Sequence, residues 1–146
     1  MRKCLAFYKK HEELINYIII GGLTTVIALL VKYGLLFTIL DSKNAFELQV
    51  SVVASWIVAV LFAYVMNRIV VFKSKSKKIL KEASKFFSAR IATLLLDAFI
   101  MWFFITLLKL NSNTEVVIVT LVSQILVIVV NYILSKIFVF KNKKEI

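Results

Sequence analysis

The chain has 146 residues, of which 61% are hydrophobic and 18% charged, and it contains no proline. Because a soluble domain is only about half apolar, this composition excludes an ordinary soluble enzyme and predicts a membrane protein. The net charge of +11 would suit nucleic acid in a soluble protein, but the charges cluster at the ends of apolar runs, which favours a membrane and no nucleic-acid partner.

Four apolar runs reach the length of about 20 residues that a membrane-spanning helix needs. They cover residues 15–40, 48–72, 86–110 and 116–140. Little chain remains outside them, and no cleavable signal sequence is visible. We therefore predict an all-α integral membrane protein in which residues 1–146 form a single membrane domain with four transmembrane helices.

The positive charges predict the orientation of these helices. All but three of the nineteen Lys and Arg residues lie near the N-terminus, around the 73–90 connection or near the C-terminus; the exceptions are Lys32, Lys43 and Lys109. Because cytoplasmic loops carry an excess of Lys and Arg, both termini and the 73–90 connection are expected in the cytoplasm.

Two basic segments are predicted to form amphipathic interfacial helices on the cytoplasmic side. In residues 1–14, apolar and aromatic side chains recur on one helical face between lysines; a frayed basic tail is the alternative. In residues 73–90 the apolar face consists of Ile79, Leu80, Ala83, Phe86 and Phe87. Attraction to an anionic leaflet accounts for most of the lysines there.

Span 1 carries two adjacent glycines and one charge. Gly21 and Gly22 predict close packing against a neighbouring helix. Lys32 lies deeper, where it either snorkels to the outer interface or lines a polar path. The short outer connections, 41–44 and 111–114, have the turn and N-cap residues that lead into a helix.

The ends of spans 2 and 4 repeat one sequence. Residues 55–73 align without a gap with residues 123–141, at a constant offset of 68. Tyr64 and Tyr132 are among the identical pairs. Because a self-match at constant offset indicates a repeated structural unit, we predict two parallel two-helix repeats, which cover about 3–73 and 74–141.

Spans 3 and 4 contain polar side chains within apolar sequence. Arg90 and Asp97 share one helical face but are separated by about 11 Å along the axis, so Asp97 is expected to pair with another span or with a ligand hydroxyl. A structural pair between Asp97 and Lys32 is the alternative. Span 4 adds Gln124, Asn131 and Ser135. For Gln124 a simple hydrogen bond between helices is the preferred interpretation.

Three cations fall about one helical turn inside the predicted cytoplasmic boundary. These are Arg68, Arg90 and Lys136, and with Asn67 they form our candidate lipid-phosphate-binding set. Arg offers a bidentate fork to phosphate oxygens and Lys a point charge. Snorkelling ends of a scaffold protein are the alternative. The candidates for a deeper polar path, suited to hydroxyl-rich cargo, are Asp97, Asn131, Ser135, Gln124 and Lys32.

The sequence offers nothing for covalent or cofactor chemistry. Cys4 is the only cysteine, and we find no His, Cys and carboxylate cluster and no nucleotide-binding motif. We therefore predict no metal, no cofactor and no enzyme activity. A four-span drug/proton exporter is disfavoured, because such exporters depend on a glutamate in the first span and the four predicted spans contain none.

Three stretches of the sequence together resemble the GtrA-like family of small four-span membrane proteins. They are residues 16–23, which open span 1, residues 64–72, which close span 2, and residues 135–140, which close span 4. The sequence has Val70 and Phe138 where the family usually has tryptophan.

The resemblance implies a flippase that moves a polyprenyl-phosphate-linked sugar, such as an undecaprenyl phosphate sugar, from the cytoplasmic to the outer leaflet of the bacterial cytoplasmic membrane. A separate glycosyltransferase would use it there to decorate a cell-wall polymer. By position, the family's two span endings correspond to Asn67, Arg68, Val71 and Phe72, and to Ser135, Lys136 and Phe140. The excess of lysine over arginine favours the branch involved in teichoic acid glycosylation.

A second hypothesis is a non-transporting membrane anchor or accessory subunit of a polyprenyl-phosphate glycosyltransferase. The partners expected under these two hypotheses are the lipid-linked sugar, membrane lipids, membrane glycosyltransferases and further copies of the chain. Without a nucleotide-binding motif, a flippase would be driven by the membrane potential or by consumption of its product.

Overall fold

The structure, a computed structural model, describes residues 2–41, 43–110 and 112–140, with side chains from residue 11 onward. Its helices are α1 (Arg2–Thr38), α2 (Ala45–Met66), α3 (Ile79–Met101) and α4 (Asn113–Leu134). Three π-helical turns continue α2, α3 and α4 directly, and we name them π1 (Asn67–Val71), π2 (Trp102–Leu107) and π3 (Ser135–Val139). No strand occurs among the described residues.

The prediction of four membrane-spanning helices is confirmed by the length and composition of the helices. The spans are His11–Thr38, Ala45–Val71, Ile79–Leu107 and Asn113–Val139. The chain divides into two compact units, which are Met1–Lys75 and Ser76–Ile146. The first unit contains the packed pair α1 and α2, and the second contains the packed pair α3 and α4.

In the first unit, α1 bends at its junction with the membrane span. His11 has non-helical backbone angles, φ −118° and ψ 17°, and these separate the basic N-terminal turns from the apolar helix that follows. The N-terminal turns are helical, as predicted for residues 1–14, and their position at a membrane surface stays a prediction. Just beyond the bend, Glu12 forms an ion pair with Lys73, with Nζ and Oε1 2.9 Å apart.

A stripe of mostly small residues runs along α2 and π1 with one buried residue at every fourth position. Its members are Ser51, Ser55, Ala59, Ala63, Asn67 and Val71. Small residues at four-residue spacing let helices approach closely in a membrane, and α1 packs along α2 and π1. The stripe ends at Phe72, which is buried and meets Tyr17 of α1 edge-on at 6.4 Å between ring centroids.

The second unit has the same arrangement on α4 and π3. The buried positions along this stripe are Val119, Ser123, Asn131, Ser135 and Val139, and Val127, the remaining position of the four-residue series, is half-buried. Phe140 closes this stripe and packs against Phe86 of α3, with ring centroids 6.2 Å apart. The Phe86 side chain is 0% exposed. In each unit, an aromatic residue of one helix therefore packs against the phenylalanine that follows the π-helical turn of the other helix.

The segment predicted as a second interfacial helix is not a separate element. The backbone is irregular up to Lys78, and α3 then runs without a break from Ile79 into the membrane span. On the predicted apolar face, Phe86 is buried, whereas Leu80 is 84% exposed. From Ile79 onward the residues are helical as expected, but they form the first turns of α3, because no backbone break separates them from the apolar sequence.

Both predicted N-caps form. The Asn44 side chain accepts a hydrogen bond from the backbone N–H of Phe46 at the start of α2. At the start of α4, Ser112 and Glu115 form a capping box in which each side chain accepts from the other's backbone N–H. These bonds satisfy donors that a helix start leaves without intrahelical partners.

The close helix approach predicted at the two glycines is absent. A Cβ atom added to Gly21 or Gly22 would meet nothing within 4 Å in the described part of the chain. The neighbouring hydroxyls of Thr24 and Thr25 donate to carbonyls of their own helix. The buried stripe of α2, which uses serine and alanine, provides the small residues instead.

Candidate functional site

The π-helical turns carry two of the predicted cations, one in each unit. Arg68 lies on π1 and Lys136 on π3, and the two turns begin and end 68 residues apart. Their i→i+5 hydrogen bonds include Phe72 N–H to Asn67 O at 2.8 Å and Phe140 N–H to Ser135 O at 2.9 Å. π-Helical turns are rare and frequently occur at functional sites.

Each of these cations is hydrogen-bonded to a tyrosine one turn earlier. Arg68 Nη1 donates to the hydroxyl of Tyr64 at 3.2 Å, and Lys136 Nζ donates to the hydroxyl of Tyr132 at 3.1 Å. Lys136 Nζ also lies 5.3 Å from the centroid of the Tyr132 ring. The same i, i+4 pair of phenol and cation therefore occurs in both units.

Both turns stand at the end of a span, so each cation is bonded to a residue nearer the middle of its own span. Side chains of an α-helix lean toward its N-terminus, and this geometry accounts for the direction of the bond. Arg68 is half-buried and Lys136 is exposed, and the phosphate-binding role of both stays a prediction.

Beside Arg68, the Asn67 side chain is 2% exposed. Its Nδ2 donates to Ala63 O at 2.7 Å, and its Oδ1 is buried without a hydrogen-bond partner among the described residues. A buried polar atom without a partner is uncommon. The equivalent position in the second unit holds Ser135, which is also buried.

Arg90 lies close to the end of π3 in the second unit. It is half-buried, and its guanidinium carbon lies 4.7 Å from the centroid of the Phe86 ring, which packs on Phe140. α3, which carries Arg90, packs against π3, which carries Lys136. The predicted convergence of Arg68, Arg90 and Lys136 at one level stays a prediction.

A further cation, Lys85, was missed in the sequence. Its Nζ donates to the backbone carbonyl of Phe138 on π3 at 3.3 Å and lies 5.0 Å from the centroid of the Phe138 ring. Lys85 immediately precedes the buried Phe86, and this was the available signal. Five other lysines precede Lys85 between positions 73 and 81. Only the packing of the helices distinguishes Lys85 from them.

Deeper in the second unit, two polar pairs connect α3 to α4. Ser123 Oγ donates to Asp97 Oδ1 at 2.5 Å, and Thr93 Oγ1 donates to Asn131 Oδ1 at 2.9 Å. The prediction that Asp97 pairs with another span is confirmed, and the partner is Ser123. Neither Thr93 nor Ser123 was predicted, because hydroxyl residues in apolar helices also bond to their own backbone.

We expect the Thr93→Val variant to unfold more easily than the wild type. The change keeps the shape of the side chain but removes the donor to Asn131, and interhelical hydrogen bonds in membranes contribute roughly 0.6–2 kcal/mol. Thermal unfolding in detergent measures the difference. The control is Thr106→Val, which alters an exposed residue of π2; equal unfolding of both variants would contradict a stabilising role of the Thr93 bond.

The remaining two predicted path residues have other surroundings. Gln124 is exposed within the second unit, and the interhelical bond expected for it stays a prediction. Lys32 is half-buried in the first unit, and its Nζ lies 5.7 Å from the centroid of the Tyr33 ring.

The chemistry of these groups suits an anion. The described residues include no group of three or more His, Cys, Asp or Glu that could hold a metal ion. Among the contacts of the cations at the π-helical ends are phenol, carbonyl and aromatic groups. Arg and Lys are the side chains that bind phosphate oxygens through charge-assisted hydrogen bonds.

Comparisons with known proteins agree with this description. The family model described as GtrA/DPMS, transmembrane domain, matches residues 16–140. The uncharacterized membrane protein YwcD of Bacillus subtilis is 35% identical over 88% of this chain and 97% of its own length. The cell wall teichoic acid glycosylation protein GtcA of Listeria monocytogenes serovar 1/2a is 31% identical over 91% of this chain and 88% of its own length.

A GtcA protein of Listeria innocua is 30% identical over the same shares of the two chains. No solved structure matches the chain. The family model covers all four spans and both π-helical ends that carry a cation. The chain therefore belongs to the GtrA/DPMS transmembrane-domain family.

Proposed function

We propose that this protein is a flippase that carries a polyprenyl-phosphate-linked sugar from the cytoplasmic to the outer leaflet of a bacterial cytoplasmic membrane. The sugar is then used for glycosylation of teichoic acid in the cell wall. Family membership and the two relatives named as cell wall teichoic acid glycosylation proteins support the process. Both termini lie in the cytoplasm in this proposal, as the distribution of Lys and Arg favours.

The observation that carries the proposal is the pair of a tyrosine and a cation that recurs at the ends of the second and fourth spans. Arg68 is bonded to Tyr64 and Lys136 to Tyr132. Arg and Lys bind phosphate oxygens through charge-assisted hydrogen bonds. A lipid phosphate that passes the headgroup level is an anion that these side chains can bind.

In this proposal the residues that bind phosphate are Arg68 and Asn67 in the first unit, and Arg90 and Lys136 in the second. The sugar hydroxyls follow a polar path along the second unit, where Asp97 and Asn131 each already bond to a hydroxyl group. Both acceptors can therefore receive a hydrogen bond from a hydroxyl group, which is the kind of donor that a sugar offers. The two units descend from one repeated two-helix unit, which the offset of 68 between their elements supports.

The test is the leaflet distribution of a labelled polyprenyl-phosphate sugar in vesicles of the purified protein. We expect the label to become accessible to a membrane-impermeant quencher faster than in empty vesicles. A variant with both Arg68→Gln and Lys136→Gln should fall to the rate of empty vesicles, whereas Lys43→Gln, an exposed cation outside the spans, should not. Equal rates with and without the protein would favour the anchoring subunit instead.

A further inference from the structure

We propose that Asp97 takes up and releases one proton in each transport cycle, so that outward movement of the lipid-linked sugar is driven by exchange for an inward proton. This inference rests on the proposed function and adds its energy source. It starts from the place of one carboxyl group in the third span and from the kind of hydrogen-bond partner that the structure gives it.

Asp97 lies in the middle of an apolar helix. The third span ends at Leu107, and the apolar part of it begins at Phe86. Asp97 is separated from each of these two residues by roughly 15 Å along the helix axis. Its side chain is half-buried within the second unit. Because an ionised group at such a depth is costly, carboxyl groups inside membrane spans often belong to ion or proton pathways.

The partner of Asp97 is a hydroxyl group. Ser123 Oγ donates to Asp97 Oδ1 at 2.5 Å, and the Ser123 side chain is 0% exposed. A hydroxyl has one donor and two acceptor lone pairs, whereas a protonated carboxyl has a donor of its own. Ser123 can therefore donate to the ionised form of Asp97 and accept from the protonated form. A lysine, which only donates, would stabilise the ionised form alone.

A second polar pair in the same helix contact shows that joining α3 to α4 does not require an acid. One helical turn before Asp97, Thr93 Oγ1 donates to Asn131 Oδ1 at 2.9 Å. The amide of Asn131 offers a carbonyl acceptor, as a carboxyl group does, but it does not ionise. The acid at position 97 adds the property that the amide lacks, which is reversible binding of a proton.

The ionisable residues around Asp97 in the second unit lie far from it along the helices. On α3 itself the nearest is Arg90, about 11 Å from Asp97 along the axis. The elements in contact with α3 in this unit are α4, π2 and π3, and their ionisable residues are Glu115, Tyr132 and Lys136. Each of these is about 12 Å or more from Ser123 along the chain axis. Within this unit, the depth in the membrane, the Ser123 hydroxyl and the cargo therefore decide the charge of Asp97.

The exchange uses the carboxyl oxygens of Asp97 for both the cargo and the proton. In the proposed function the ionised carboxyl accepts a hydrogen bond from a hydroxyl of the sugar. A proton that enters from the outer side binds one of these oxygens and turns an acceptor into a donor, and the sugar is released. The proton leaves to the cytoplasmic side when the hydroxyl of the next cargo binds. One O–H bond forms and later breaks, so one proton moves inward for each cargo that moves outward.

The experiment measures how the labelled polyprenyl-phosphate sugar of the vesicle assay distributes between the two leaflets at equilibrium. Potassium and valinomycin hold the membrane potential at zero while a pH difference is imposed. A difference of about two pH units is a roughly 100-fold difference in proton activity, so one-for-one exchange enriches the label up to roughly 100-fold in the leaflet on the acidic side. This direction is the same for either orientation of the protein in the vesicle.

The Asp97→Asn variant keeps an acceptor for Ser123 but cannot bind the proton, so its label should show no enrichment at any pH difference. The matched control is Asp41→Asn, which makes the same chemical change at an exposed residue outside the spans and should enrich the label as the wild type does. Enrichment that persists in Asp97→Asn would overturn the assignment of the proton to Asp97.

A measurement on the wild type alone tests the exchange without any variant. Label added to the outer leaflet in the absence of a pH difference should move inward in exchange for protons, and a pH-sensitive dye inside the vesicles should report a rise in pH. A wild type that moves the label without this rise overturns the proton exchange, while the proposed function stands. If the wild type moves the label no faster than empty vesicles do, the proposed function itself fails.

Discussion

The Arg90→Gln variant is expected to insert normally in the membrane and to transport the lipid-linked sugar roughly 10- to 100-fold more slowly, as loss of a charge-assisted hydrogen bond of about 1.5–3 kcal/mol predicts. Arg90 is half-buried on α3 over the Phe86 ring. Glutamine keeps a polar side chain of moderate length but removes the charge and the bidentate fork. The rate is measured by the vesicle assay at matched protein content.

The matched control is Lys81→Gln, which removes a positive charge from an exposed position on the same helix. This variant changes the net charge by the same amount and should transport at nearly the wild-type rate. If both variants slow transport equally, the effect comes from general attraction to anionic lipid. If Arg90→Gln transports normally, Arg90 is not a phosphate ligand.

The largest expected loss of stability follows from Phe86→Ala. The side chain is 0% exposed and packs against Phe140, which follows π3. Its removal leaves a cavity in the contact between the two helices of the second unit. Large-to-small changes of a buried Phe lower the free energy of unfolding by about 3 kcal/mol or more. Thermal unfolding in detergent, followed by loss of helical circular dichroism, measures the effect.

Leu80→Ala is the control for this change, because Leu80 is a large apolar residue on the first turn of α3 that is 84% exposed. It should unfold at nearly the wild-type temperature. An equal drop for both variants would show that the α3 N-terminal turns contribute through helix formation and not through the contact between Phe86 and Phe140.

Most of the fold follows from the sequence because the membrane imposes simple rules of length and charge. The four spans and the caps at Asn44 and Ser112 were predictable, since apolar length and cap chemistry are local properties. Where α3 begins was not predictable from periodicity, because the basic turns around Leu80 and the apolar span share one helical period.

The candidate site was predictable only in part. The cations Arg68 and Lys136 stand out in apolar sequence, but their bonds to Tyr64 and Tyr132 depend on rotamers that sequence does not specify. The partner of Asp97 is set by the register between α3 and α4, which decides that Ser123 lies opposite it. The sequence shows that Asp97 needs a hydrogen-bond partner, but it does not show which residue that partner is.

The surroundings of Gln124 depend on the same register. An amide in an apolar helix favours a hydrogen bond to a neighbour, but the angular position of Gln124 on α4 places it outside the α3–α4 contact, next to the buried Ser123. One residue corresponds to a rotation of about 100° around an α-helix, and this rotation separates the buried Ser123 from the exposed Gln124.

The same angular argument gives the π-helical turns a geometric consequence. In an α-helix, positions four residues apart drift around the axis by about 40° per step, since each residue advances by about 100°. A stripe with a four-residue period, as on α2 and α4, therefore winds slowly around its helix along the span. The wider i→i+5 turn reduces the advance per residue, so the winding slows at the end of the span. Val71 and Val139, the last residues of π1 and π3, are both buried, and a cation lies three residues before each of them.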